Sequence, residues 1–282
     1  MSEVRETRVN VDGGMLFVAD CGDGPPLVML HGWALDHRMF RPQIETLSNT
    51  FRVITFDRRG FGRSDAPPDL RLELDDIDRV LDALELDTAH LLGMSQGGRI
   101  AIRYAVTRGD RLRSLILQGA VIDGFRAVEE EAERVPVAEY AALASAGRLD
   151  DVRERWQRHP MMTLGSQEEA AQRLVAEIVA DYEGRDLVGH EAANYAFDVN
   201  VLDALQRLDV PTLVVTGRDE TLARRRHAQE LCRRIPVATE TLIDGGHLCN
   251  LVAPEAYNRA VLDFCVATEA VRRGQEAALR IE

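Results

Sequence analysis

The apolar residues of the chain fall into short aliphatic and β-branched blocks: Met15 to Ala19, Leu27 to Leu30, Val53 to Phe56, Ala89 to Met94, Leu112 to Leu117, Thr212 to Thr216 and Thr239 to Ile243. Apolar runs of this length predict strands covered on both faces. Most of the intervals carry apolar residues at helical spacing instead, as in Ile77, Val80, Leu81 and Leu84, in Ile100 and Tyr104, and in Ala228, Leu231, Cys232 and Ile235. Strand and helix alternating in this way predicts an α/β protein with a mainly parallel central sheet and helices on both of its faces.

The alternation stops between Val121 and Leu202, where short helical patterns follow one another. Ser166-Gln167-Glu168-Glu169 fits a capping box, and Leu174, Ile178 and Tyr182 continue its apolar face. The expected organisation is a core built from residues 1–120 and 203–266, a helical cap inserted over 121–202 as a lid on the sheet, and a charged tail over 267–282 forming a loose terminal helix.

Composition narrows the chemistry. With 282 residues the chain can bury a sizeable core, and its 47 acidic against 34 basic residues give a net charge of -13. That balance repels phosphate backbones and anionic lipid, so neither nucleic acid nor a membrane is expected as a partner. All the basic residues are arginine, which excludes Schiff-base chemistry and lysine-dependent phosphate loops. Cys21, Cys232, Cys249 and Cys265 are widely spaced with no metal-binding pattern, and they read as reduced thiols. Residues 1–11 lack the apolar stretch of a signal peptide, so a cytoplasmic location is the expectation, with no metal and no cofactor.

Three segments carry chemistry. Gly93-Met94-Ser95-Gln96-Gly97 follows a predicted strand and opens a predicted helix, the setting of a nucleophile elbow, although glycines and serine also make ordinary turns. His31-Gly32-Trp33 follows the Leu27 to Leu30 strand, where the backbone N–H of Trp33, together with that of Gln96, would form an oxyanion hole. His31 itself reads as a structural histidine bonded to nearby backbone. Asp244-Gly245-Gly246-His247 follows the last strand, which makes His247 the candidate general base.

With Phe56-Asp57-Arg58-Arg59-Gly60-Phe61-Gly62-Arg63-Ser64-Asp65 added, the chain resembles the α/β-hydrolase fold superfamily over roughly Met15 to Val266, above all bacterial carboxylesterases and arylesterases, including cofactor-free haloperoxidases and perhydrolases. The resemblance implies a helical cap and a serine esterase mechanism without metal. Asp57 is then a structural turn residue. Related enzymes that attack carbon by alkylation place aspartate where Ser95 stands, whereas enol-lactonases and carbon-carbon bond hydrolases share the serine. The chain also has Val252 where many relatives carry glutamate before Ala253-Pro254.

The resemblance places the acid near Gly217-Arg218-Asp219-Glu220, which offers two carboxylates. Counting three residues from the glycine lands on Glu220, whereas Asp219 requires a shortened turn. Glu220 is expected to be the acid and Asp219 a helix cap or turn support, with Asp123 the next place to look. The expected activity is hydrolysis of a small or medium carboxylic ester or lactone through an acyl-enzyme; the alternative is a binding protein on the same scaffold with little turnover. Met94, Phe125, Trp156, Met161, Met162 and Phe197 are candidates for the pocket wall, although Trp156 and Val152 at helical spacing also fit the cap's own core.

Overall fold

Successive residues of a strand point to opposite faces of its sheet, and the central strands of this protein pack both faces. Leu27, Met29, Val53, Leu92, Ile116 and Leu213 enter one buried cluster, and Val28, Leu30, Ile54, Leu91, Leu115 and Val214 enter the other. This two-sided burial is why the strands read as unbroken apolar runs rather than as alternations.

The computed structural model describes residues 3–165, 168–188 and 201–279. In chain order its elements are β1 (Val4–Val11), β2 (Gly14–Cys21), β3 (Pro26–Leu30), α1 (Arg41–Leu47), β4 (Arg52–Phe56), α2 (Glu73–Ala83), β5 (Ala89–Met94), α3 (Gln96–Arg108), β6 (Leu112–Gln118), α4 (Val137–Ser145), α5 (Leu149–Gln157), α6 (Glu169–Ala180), α7 (Val201–Leu205), β7 (Thr212–Gly217), α8 (Leu222–Arg234), β8 (Ala238–Ile243), α9 (Cys249–Val252) and α10 (Pro254–Leu279). Among the described residues the strands form one sheet in the order β1-β2-β4-β3-β5-β6-β7-β8. The first two pairings, β1 with β2 and β2 with β4, are antiparallel; all the others are parallel. The loops that leave β3, β5, β6, β7 and β8 therefore gather at one edge, the edge where open α/β sheets bind ligands.

Strand β1 was not expected. Its sequence is charged, and of its eight residues only Val9 is buried, because the strand lies at the sheet edge and exposes most of its side chains. The available signal was Asp12-Gly13, a two-residue turn between paired Val11 and Gly14, with Gly13 at φ 84°.

Between β6 and β7 the described residues hold helices and no strand. Tyr140, Val152, Trp156, Met161, Ile178 and Tyr182 from this segment join the same apolar cluster as Leu92 and Ile116 of the sheet. Arg38 before α1 ties the segment down by donating to Asp181 Oδ2 at 2.8 Å, and Arg185 reaches the Ser64 carbonyl at 2.7 Å. Two residues of the expected capping box, Ser166 and Gln167, lie outside the described residues.

The tail requires a correction. Helix α10 runs without a break from Pro254 to Leu279, so residue 267 is not a boundary. Glu269 is buried and accepts from Arg113 Nη1 at 3.0 Å, which docks the helix on β6 where a loose end was expected. None of the helices described is long and apolar enough to cross a membrane. All four cysteines are free thiols, and burial pushes Cys249 and Cys265 up to about 12.

His90, which meets Ser114 Oγ at 2.7 Å, and His227, whose Nδ1 accepts from the Ile122 N–H at 3.1 Å, are both buried. Burial lowers each to about 4, against about 6.5 in an unfolded chain. Below about pH 6.5 the unfolded chain therefore binds more protons than the native protein, and the stability these two imidazoles provide is lost as pH falls towards 4. Urea denaturation should give a lower unfolding free energy at about pH 5 than at about pH 7. Equal values would mean that the two imidazoles do not stay neutral in the native state.

Candidate active site

Ser95 sits at φ 53° and ψ -112°, between the end of β5 and the start of α3. A side chain in this left-handed region is strained, and the strain is held by close backbone packing on both sides. A Cβ added at Gly93 would lie 2.5 Å from the Gly97 carbonyl oxygen, and one at Gly97 would lie 2.4 Å from that of Leu30. Ser95 N–H donates to the Gln118 carbonyl at 2.8 Å, which pins the turn to β6.

The Gln118 side chain carries this link onward, donating from Nε2 to the His247 carbonyl at 2.9 Å and to Asn250 Oδ1 at 2.9 Å. His247 Nδ1 meets Glu220 Oε2 at 2.7 Å, with both side chains buried. Gly119, at φ 55°, leaves room for this pair: a Cβ there would stand 2.5 Å from His247 Cε1. Burial opposes the charge of Glu220, but the His247 imidazole and the Thr221 N–H, which donates to Oε1 at 2.8 Å, hold the carboxyl below its ordinary range. A neutral imidazole whose Nδ1–H donates a hydrogen bond to a carboxylate keeps Nε2 free as a proton acceptor.

His31 closes the other side. Its Nδ1–H donates to the Gly32 carbonyl at 2.8 Å, and its Nε2 accepts from the Arg58 N–H at 2.9 Å. Burial lowers it to about 3, so it stays neutral and shapes the loop before Trp33. The Trp33 indole N–H donates to Asp186 Oδ2 at 2.6 Å, while Tyr182 Oη donates to the other oxygen of Asp186 at 2.6 Å. The ring of Trp33 also meets Trp156 edge-on, with centroids 4.7 Å apart.

Ser95, Gln96, Trp33 and Asp186 all line one cavity of about 260 Å³. A hollow of about 770 Å³ elsewhere is larger and is rimmed by ion pairs of Arg38 with Glu177 and of Arg63 with Glu6; Ser95 does not line it.

The alpha/beta hydrolase fold family matches residues 25–254. The chain belongs to that family. Over 253 residues it is 31% identical to a protein of Azorhizobium caulinodans named putative carbamate hydrolase RutD, covering 86% of this chain and 92% of that one. Among solved structures, the enol-lactonase from Burkholderia xenovorans superposes with a TM-score of 0.77 at 23% identity, covering 92% of this chain and 100% of the other. The esterase EaEST from Exiguobacterium antarcticum gives 0.75 at 26% identity, with coverage of 93% and 99%. Hydrolytic chemistry is what the family and these relatives support.

Of the residues expected in this hydrolase's pocket wall, Trp156 and Met161 line the cavity and three do not. Met94 is buried in the sheet cluster with its sulfur against Gly32, Met162 is buried in the same cluster, and Phe125 turns its ring edge-on to His227. Phe197 lies outside the described residues. Asp219 is exposed and does not cap α8; Thr221 does, with Oγ1 accepting from the Arg224 N–H at 3.4 Å. The backbone of Asp219 does support the turn, since its N–H donates to the Gly245 carbonyl at 2.9 Å. Asp123 is taken by Arg99 at 2.6 Å and Arg103 at 2.5 Å. Val252 packs where glutamate was absent, its Cβ 2.8 Å from a Cβ that Gly245 would carry.

Asp36, His37 and Asp57 bring three potential metal-ligand atoms within 4.8 Å of one another. Protein donors already occupy them: Asp57 accepts from the backbone N–H groups of His37 and Arg63 and from His37 Nδ1, and Asp36 from Arg38. Asp57 is thus the structural residue it was expected to be.

The residue that sequence reasoning missed is Arg58. Its fully buried guanidinium donates to both oxygens of Glu73 at 2.6 and 2.9 Å, to Gln96 Oε1 at 2.6 Å and to the His31 carbonyl at 3.0 Å. Arg58→Met should lower unfolding free energy by about 3 to 5 kcal/mol, because Glu73 is left buried without its cation, and Arg58→Met/Glu73→Leu should regain much of that loss. Denaturant titration of the three proteins checks this, and a double variant no better than the single one would contradict it.

Proposed function

We propose that the protein is a serine hydrolase that cleaves a small or medium carboxylic ester or lactone through an acyl-enzyme. The observation that carries this reading is the buried Glu220–His247 pair at 2.7 Å, joined through Gln118 to the strained Ser95 turn that opens on the cavity. Nε2 of His247 takes the Ser95 proton as Oγ bonds to the substrate carbonyl carbon. The oxyanion accepts hydrogen bonds from the backbone N–H groups of Trp33 and Gln96. Gln96 is the first residue of α3, so its N–H belongs to the first turn, which lacks intrahelical acceptors. The imidazolium then protonates the leaving oxygen, and water deacylates Ser95 by the reverse sequence, releasing the acid.

The helical segment 121–202 acts in this reading as a lid, and its Trp156, Met161 and Asp186 form part of the cavity wall. A cavity of about 260 Å³ suits a small substrate. The Glu220–His247 bond also weighs against a non-catalytic binding protein on the same scaffold. Carbamate or enol-lactone cleavage would use the same serine and oxyanion donors.

Assays with a chromogenic acetate ester and a fluorophosphonate probe test the reading. Wild type should turn over the ester and take the label at Ser95, and Ser95→Ala should do neither. Glu220→Gln should lose about three to four orders of magnitude in kcat while remaining folded. Asp219→Asn should stay within about twofold of wild type, since the exposed carboxylate has no part in orienting His247. Equal slow hydrolysis by wild type and Ser95→Ala would end the proposal.

A further inference from the structure

The charged groups that line the cavity are, with two exceptions, neutralised by ion pairs. Arg59 is held by both oxygens of Asp76, Glu73 by Arg58, Arg99 by Asp123 and Asp69 by Arg71. The first exception is Asp186, whose two oxygens accept from the Trp33 indole and the Tyr182 hydroxyl. Burial pushes its carboxyl above the ordinary range, and both of its oxygens are already engaged by these donors.

The second exception is Arg224, in the first turn of α8. Its one side-chain hydrogen bond among the described residues is a weak contact from Nη2 to Met161 Sδ at 3.8 Å. No carboxylate of the described residues pairs with it. The nearest acids that act on its charge are Glu220, committed to His247 and to the Thr221 N–H, and Glu129, which lies 3.5 Å from Arg134. Glu133 serves the Leu222 N–H at the start of α8 rather than the guanidinium. Arg224 is half-buried, so part of its hydration is lost with no counter-charge to replace it, and its planar guanidinium presents a fork that fits a carboxylate. Arg224 shares the cavity wall with Ser95, so a ligand at the serine reaches it without leaving the cavity.

We propose that Arg224 is the recognition site for a carboxylate carried by the substrate, which makes the preferred substrate an ester or lactone of an acidic molecule. The inference rests on Ser95 marking the reacting end of the cavity. The carboxylate would supply the missing counter-charge, and the reacting carbonyl would lie between Arg224 and the Trp33 loop. Arg99, four residues after Ser95 on α3, adds positive potential at the same end while remaining paired to Asp123.

The test uses two esters that differ by one charge, monomethyl glutarate and dimethyl glutarate, titrated calorimetrically into the full-length Ser95→Ala protein at about pH 7. The monoester should bind at least about tenfold more tightly than the diester, the range of a charge-assisted pair. Adding Arg224→Gln should bring the two affinities level, and Arg224→Lys should keep part of the preference. Equal affinities in the parent, no detectable binding of the monoester, or a preference that survives Arg224→Gln would each overturn the proposal. Thermal unfolding keeps the test clear of misfolding: removing a half-buried cation that has no counter-charge should leave the midpoint unchanged or raise it, whereas a marked fall would assign Arg224 a structural role and overturn the proposal. Because binding is read without turnover, the outcome is separate from esterase activity. Wild type that leaves the chromogenic ester intact while the monoester preference holds would sink the hydrolase reading alone.

Discussion

A guanidinium leaves water at a high cost unless its N–H groups find acceptors, and Arg58 finds them on three separate segments of the chain. Glu73 comes from the helix after the β4 loop, the His31 carbonyl from the end of β3, and the Gln96 side chain from the first turn after Ser95. One fully buried cation thereby sets the spacing between the strand ends on which Ser95 and the Trp33 loop sit. The neutral His31 ring, wedged between Gly32 and the Arg58 backbone, fixes the same junction from the other side. Salt has little purchase on such a pair, since screening acts mainly on exposed charges.

The other constraint is backbone proximity. The start of α3 lies so close to β5, to the end of β3 and to Ala120 after β6 that Gly93, Gly97 and Gly98 have no space for a methyl group, and Ser95 takes up the distortion. On the facing side, Gly217 packs against the Gly246 carbonyl, where a Cβ would lie 2.2 Å away, and Gly119 lies against His247. Small residues thus act as spacers for a hydrogen-bonded assembly of Ser95, Gln118, His247 and Glu220. The assembly is rigid because it is crowded.

These features were unequally visible in the chain. The turn at Ser95 and the loop at His247 are local, because crowding forces glycine at fixed offsets from each of these residues, and such offsets survive in a linear reading. Glu220 could be preferred over Asp219 because the family resemblance implies an acid three residues after Gly217, and the fold turns that residue towards His247. Strand β1 was hidden by its exposed, charged side chains, which carry no burial pattern. Arg58 and Asp186 were illegible for a different reason. Their meaning lies in partners brought close only by the fold: Glu73 is 15 residues from Arg58, and Asp186 is 153 residues from Trp33. An arginine among 34 or an aspartate in a helical segment carries no local mark of what it will meet. The pocket wall was half legible for a related cause, since apolar residues of a helical segment look alike whether they face the cavity or its own packing.

The bond from the Trp33 indole to Asp186 joins the roof of the cavity to the loop expected to steady the developing negative charge. A change in the helical segment that widens the cavity for a bulkier molecule will therefore disturb the Trp33 loop as well. The shape of the cavity and the placement of the Trp33 loop are inherited together here. A lineage exploring new molecules through this segment has to keep an acceptor at position 186, or replace Trp33 in the same step.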